Sequence, residues 1–127
     1  MTILIAEDDE DDLFFTAREL GKATPAALMH VESGRAAIDY LAGHGKYADR
    51  VAFPFPDVML LDLKMDDIDG HAVLGWVRDN PLTRPLRIFA LTGSGEMRDR
   101  ERVKGSGVAE GYFVKPLTAE NVAVILK

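Results

Sequence analysis

Glu7, Asp8 and Asp9 stop one apolar run abruptly, Asp62 ends a second, Thr92 ends a third and Lys115 a fourth. Brought together, these side chains have the types needed for phosphoryl chemistry. Crowded carboxylates repel, and burying them costs free energy unless a cation neutralises them. An all-oxygen ligand set suits a hard cation, Mg2+ above all. That ion holds octahedral geometry and keeps several waters, so one or two carboxylates plus a substrate phosphate suffice. A carboxylate left free beside such an ion can attack phosphorus and form an acyl phosphate. The equatorial oxygens of the group in transit need metal, ammonium and hydrogen-bond donors. Lys115 and Thr92 are of the types that supply the last two.

The elements must then converge these residues. Thr2–Ala6 is a short, unbroken apolar run, as in parallel strands covered on both faces. Asp9 or Asp11 can cap the helix that follows, with Leu13, Phe14, Ala17 and Leu20 on its inner face and Gly21 at its end. Leu28–Val31 reads as a second strand. Ser33-Gly34 opens a helix with Ala37, Ile38 and Leu41 inward, and Gly43 to Pro56 is a long, turn-rich connection. Val58–Leu61 is the most apolar strand and ends at Asp62; an acidic loop follows, closed by Gly70. His71–Asp79 reads as a helix burying Val73, Leu74 and Val77. Ile88–Leu91 is a fourth strand before Thr92-Gly93-Ser94-Gly95, and a polar helix covers Met97 to Lys104. Gly111–Val114 is the fifth strand, Pro116 breaks the chain, and Ala119–Leu126 is a short last helix. Such alternation predicts an α/β fold, a parallel sheet with helices on both faces. These sheets bind ligands beyond the carboxyl ends of their strands, at a switch in strand order.

Each placement also has a bland explanation. Acids at 7–12 favour a helix dipole, Asp62 and Thr92 suit turns, and a Lys-Pro pair is commonly a surface turn. Their joint position at successive strand ends is what chance explains poorly. Composition narrows the classes further. The 127 residues suit one domain spanning 1–127, and 47% hydrophobic content supports a core. No apolar run approaches the roughly 20 residues that span a bilayer, and the start lacks a basic leader. With no cysteine, disulfides and thiolate sites are excluded, which fits a reducing cytoplasm. A net charge of −6 argues against nonspecific nucleic-acid binding. His30, His44 and His71 lack metal-ligand spacing and read as structural or surface residues, and Trp76 as half-buried.

The segments I-L-I-A-E-D-D, V-M-L-L-D-L-K-M, Asp69-Gly70, A-L-T-G and G-Y-F-V-K-P resemble the response-regulator receiver family over essentially the whole chain. The resemblance implies a doubly wound, five-stranded parallel sheet of order 2-1-3-4-5, flavodoxin-like or CheY-like. It implies that Asp62 is the phosphoacceptor, that Asp8 binds Mg2+ directly and Glu7 through a bound water, and that the Lys64 backbone carbonyl completes the metal ligands. Lys115 would pair with Asp62 and then with the phosphoryl group. Thr92 would move onto a phosphoryl oxygen, and Tyr112 would turn inward behind it. The Lys115-Pro116 bond is typically cis in this family. The donor would be a sensor histidine kinase or a phosphotransfer protein. Gly45-Lys46-Tyr47, in the long connection, is similar to an insertion in phytochrome-associated single-domain regulators, which would make the sensor a bacteriophytochrome; covering of the core edge is the plain alternative. Without an output domain, the signal would leave through the face of the fourth helix, fifth strand and fifth helix, by partner binding or homodimerisation.

Three positions depart from the family pattern. Asp66 replaces a usual proline, so the loop after Asp62 is expected to be more mobile, and Asp66 and Asp67 would alter kinase selection. The cationic Lys64 side chain would alter the lifetime of the phosphorylated state. The last helix is short. Other functions fit less well. A dehalogenase-type phosphohydrolase wants an acid where Lys64 stands. A phosphate-independent pseudo-receiver would not need the full set of Glu7, Asp8, Asp62, Thr92 and Lys115. A flavodoxin-like FMN carrier would need a phosphate loop after the first strand, and none is present.

Overall fold

The structure is a computed structural model that describes residues 1–93 and 95–127. Five strands, β1 (Thr2–Ala6), β2 (Ala27–Val31), β3 (Val58–Asp62), β4 (Arg87–Thr92) and β5 (Ala109–Val114), form one parallel sheet of order β2-β1-β3-β4-β5. Between and after them run α1 (Glu10–Ala23), α2 (Gly34–Ala42), α3 (Gly70–Arg78), α4 (Met97–Gly105) and α5 (Ala119–Ile125), with short 3-10 helices at Gly45–Ala48 and Pro81–Thr83. Alternation along the buried strands divides the apolar side chains between two faces. Leu4, Met59, Leu61 and Ile88 pack with residues of α2, α3 and α4. Ile3, Ile5, Leu60 and Phe89 pack with Leu20 of α1 and Val122 and Ile125 of α5. The expected doubly wound order is present, and its reversal beside β1 and β3 opens a crevice where their carboxyl ends lie.

Local chemistry explains where the helices begin. The Asp9 carboxylate accepts the Asp12 N–H and caps α1, Ser33 caps α2 through the Ala36 N–H, and Asp69 caps α3 through the Ala72 N–H. Thr118 and Asn121 form a reciprocal capping box at α5. Two expectations for α1 need correction. Gly21 lies inside the helix, which runs on to Ala23, because a single glycine costs a helix only about 1 kcal/mol. Phe14 is 61% exposed; Thr16 and Leu20 are the buried residues of this helix. The turn expected at 92–95 includes Ser94, which lies outside the described residues.

The long connection folds onto the end of α2. Tyr47 and Phe53 pack edge-to-face, and both meet the Tyr40 ring of α2. The Arg50 guanidinium donates to the carbonyls of Tyr40 and Leu41 in the last turn of the helix, and to that of Phe53 in the connection. Gly43, at φ 72°, makes the left-handed turn out of α2 that a side chain would resist.

Candidate functional site

β1 delivers Glu7 and Asp8 to the crevice, β3 delivers Asp62, β4 delivers Thr92, and Lys115 follows β5. Glu7 is 2% exposed, Asp62 4% and Thr92 1%, while Asp8 is open to solvent. Oxygen atoms of Glu7, Asp8 and Asp62 all lie within 4.8 Å of one another. The Lys64 N–H donates to the Asp62 carboxylate at 3.2 Å, which orients one of its oxygens. The Lys115 N–H donates to the Thr92 carbonyl at 2.7 Å, tying the β5 exit to β4, and the Lys115-Pro116 bond is cis as the resemblance implies.

The ammonium of Lys115 does not favour Asp62. It donates to Glu7 at 2.6 Å and to Asp12 at 2.9 Å, and stands 3.4 Å from Asp62. Asp12, on the first turn of α1, is a site residue that sequence reasoning missed. Five acids follow one another at 8–12, and only the phase of α1 decides which turns back toward the crevice. Burial pushes the Glu7 carboxyl up from 4.5 to about 7; a hydrogen bond and charge from Asp62 add to the rise, and Lys115 opposes it. Burial disfavours the charged Lys115, but hydrogen bonds to Glu7 and Asp12 and the Asp62 charge outweigh it, so its pKa rises. The pocket is therefore short of positive charge even with its lysine fully ionised. A divalent cation fits that shortage, and an all-oxygen donor set fits a hard one.

Tyr112 lies on β5, half-buried, and packs against the core face that holds Val103 of α4. Burial pushes its phenol up, and a hydrogen bond with Thr92 holds it back. His30 donates its ring N–H to the Glu7 carbonyl at 2.8 Å and is structural. His71, at the start of α3, pairs with Asp99 of α4 at 3.1 Å, beside the loop that follows Asp62. Among the described residues, no helix is long and apolar enough to cross a membrane.

Comparison with known proteins agrees with this geometry. The family profile described as "Response regulator receiver domain" matches residues 3–127. The chain is 25% identical over 126 residues to the polar-differentiation response regulator DivK of Brucella ovis, covering 99% of this chain and 93% of that protein. Among solved structures it resembles the bacteriophytochrome response regulator AtBRR, with 32% identity, a TM-score of 0.86 and coverage of 98% and 89% of the two chains. It also resembles the Mn2+-bound form of the response regulator Rcp1, with 27% identity, a TM-score of 0.79 and coverage of 98% and 88%. With the fold, the acidic crevice and these matches in agreement, the chain belongs to the response-regulator receiver family, the phosphorylation-dependent module of two-component signalling that is served by histidine kinases.

Proposed function

We propose that Asp62 is the phosphoacceptor and that the site works with Mg2+. The observation that carries this reading is the placement of a buried Asp62 carboxylate within 4.8 Å of Glu7 and Asp8 and 3.4 Å from the Lys115 ammonium. An Asp62 oxygen attacks the phosphorus of a phosphohistidine; a new P–O bond forms, the P–N bond breaks, and the imidazole leaves. A Mg2+ ion, when bound, supplies positive charge against the phosphoryl oxygens. Asp8 would ligate it directly, Glu7 through a water, and the backbone carbonyl of Lys64 would complete the protein's share. Lys115 would move its charge from Glu7 and Asp12 toward the transferred group. Thr92 would donate its hydroxyl to a phosphoryl oxygen, and Tyr112 would turn inward behind it. On this reading the chain turns over no separate substrate and promotes only its own phosphorylation and dephosphorylation.

The likeness to phytochrome-associated regulators supports a bacteriophytochrome kinase as donor, directly or through a phosphotransfer protein. A cytoplasmic site of action fits such a donor. The face of α4, β5 and α5 would carry the signal, by homodimerisation or by binding a partner. Incubation with Mg2+ and acetyl phosphate or beryllofluoride, followed by mapping of the modified residue and of NMR shift changes, tests the reading. Modification at Asp62 is expected, and Asp62→Asn should abolish it. A silent wild type would mark a phosphate-independent module, and many turnovers of a phosphomonoester would mark a hydrolase.

A further inference from the structure

The loop between β3 and α3 holds the Lys64 carbonyl, and the chain fastens that loop to a helix on which the chemistry makes no other claim. The Asp67 carboxylate accepts the N–H of Gly34 at 3.0 Å with one oxygen and the N–H of Arg35 at 2.9 Å with the other. Both amides belong to the first turn of α2, where N–H groups lack partners within the helix and a negative charge is favoured by the helix dipole. A second contact stands beside the first. A Cβ placed on Gly34 would come within 2.1 Å of the Ile68 carbonyl oxygen, so the loop backbone lies directly on the start of α2. The loop's far end packs back on the end of β3: a Cβ on Gly70 would meet the Asp62 carbonyl oxygen at 2.7 Å and Leu63 Cα at 2.8 Å. Met65, between these anchors, is buried. The short segment 64–69 is thus fixed at both ends and in its middle, although Asp66 replaces the stiffening proline that the family pattern leads one to expect.

We propose that Asp67 is a positioning residue for the divalent cation: its two hydrogen bonds to α2 hold the β3–α3 loop so that the Lys64 carbonyl faces the ion. This rests on the reading of the Asp62 crevice given above. Removing a partner that orients a metal ligand without touching the metal typically costs about 10–100-fold in metal affinity. Asp67 is an exposed loop residue set against the start of α2, so its loss leaves the core intact. Ser33 caps the same helix through the Ala36 N–H and is not bonded to the loop, which makes Ser33→Ala the control for helix stability alone.

Mg2+ titration calorimetry on the whole chain should compare wild type, Asp67→Ala and Ser33→Ala, with amide hydrogen exchange followed in the metal-free proteins. The expected result is that Asp67→Ala weakens Mg2+ by about 10–100-fold and speeds exchange at Gly34 and Arg35, while Ser33→Ala keeps the wild-type affinity. The loss should persist at high salt, because positioning is not screened as a remote charge is. Unchanged affinity in Asp67→Ala, an equal loss in Ser33→Ala, or a loss that vanishes at high salt would each overturn the inference while leaving the Asp62 site standing. A wild type that binds no Mg2+ would remove that site and the inference with it.

Discussion

The ammonium of Lys115 serves Glu7, Asp12 and Asp62 together, and the shortfall of positive charge sets how the metal-free site titrates. Glu7, raised by burial to about 7, binds its proton more tightly in the folded chain than in the unfolded one. Its contribution to stability is therefore complete below 4.5 and is lost as pH rises through about 7. In chelator-treated protein, the melting temperature of wild type should fall relative to that of Glu7→Gln between about pH 5 and pH 8. Parallel melting curves across that range would contradict it. Added Mg2+ should act in the opposite sense and stabilise more as pH rises, since it competes with the Glu7 proton. Glu7, Asp62, Thr92 and Lys115 were legible in the sequence because each sits at a strand end, where a parallel sheet leaves little freedom. Asp12 was not, since nothing in a run of acids reveals which one a long lysine will reach from the far end of the chain. Asp67 escaped for a similar reason: its partners are backbone amides, which carry no sequence signature.

Helices show the same division between what pattern reveals and what packing decides. The inward faces of α2 and α3 follow from apolar spacing, and the caps at Ser33 and Asp69 from residue type. In α1, Phe14 falls at the margin of the apolar stripe and turns outward, while Thr16 is buried instead. No periodicity of hydrophobic residues could assign that place to a threonine. The long connection is similar. Its aromatic residues announce a contact with the core edge, but the Tyr40 and Leu41 carbonyls bound by Arg50 depend on where α2 stops. In a parallel α/β fold α2 starts at the site edge and ends at the opposite one, so Arg50 bears on stability alone. Arg50→Ala should lower the unfolding free energy by about 1.5–3 kcal/mol, the range for hydrogen bonds to a charged group. Urea titration measures it, and Mg2+ affinity should stay at the wild-type value.

At the scale of the whole molecule, Thr92 ends β4 at the crevice and Tyr112 of β5 packs on the side of the sheet that α4 covers, and on the proposed reading the two would link them. Coupling of this kind is typically worth about 1–3 kcal/mol, or 5–150-fold in affinity. Beryllofluoride with Mg2+ should therefore shift NMR signals of α4, β5 and α5 and, where the output is a homodimer, raise the mass measured by light scattering. Shift changes confined to the crevice would show a site without an outlet. The alternation of elements made a parallel sheet with helices on both faces legible, while the strand order came from the family resemblance that the strand-end motifs carry. The exit route through α4, β5 and α5 is likewise an expectation from the resemblance, since residue types alone do not say how Tyr112 packs.

The bond between Lys115 and Glu7 spans almost the full length of the chain. A polypeptide emerging from the ribosome presents its acids first and its balancing ammonium nearly last. Until β5 has joined the sheet, the half-made crevice holds repelling carboxylates without their counter-charge. The ion pair that completes the crevice therefore closes only after the last strand of the sheet is in place.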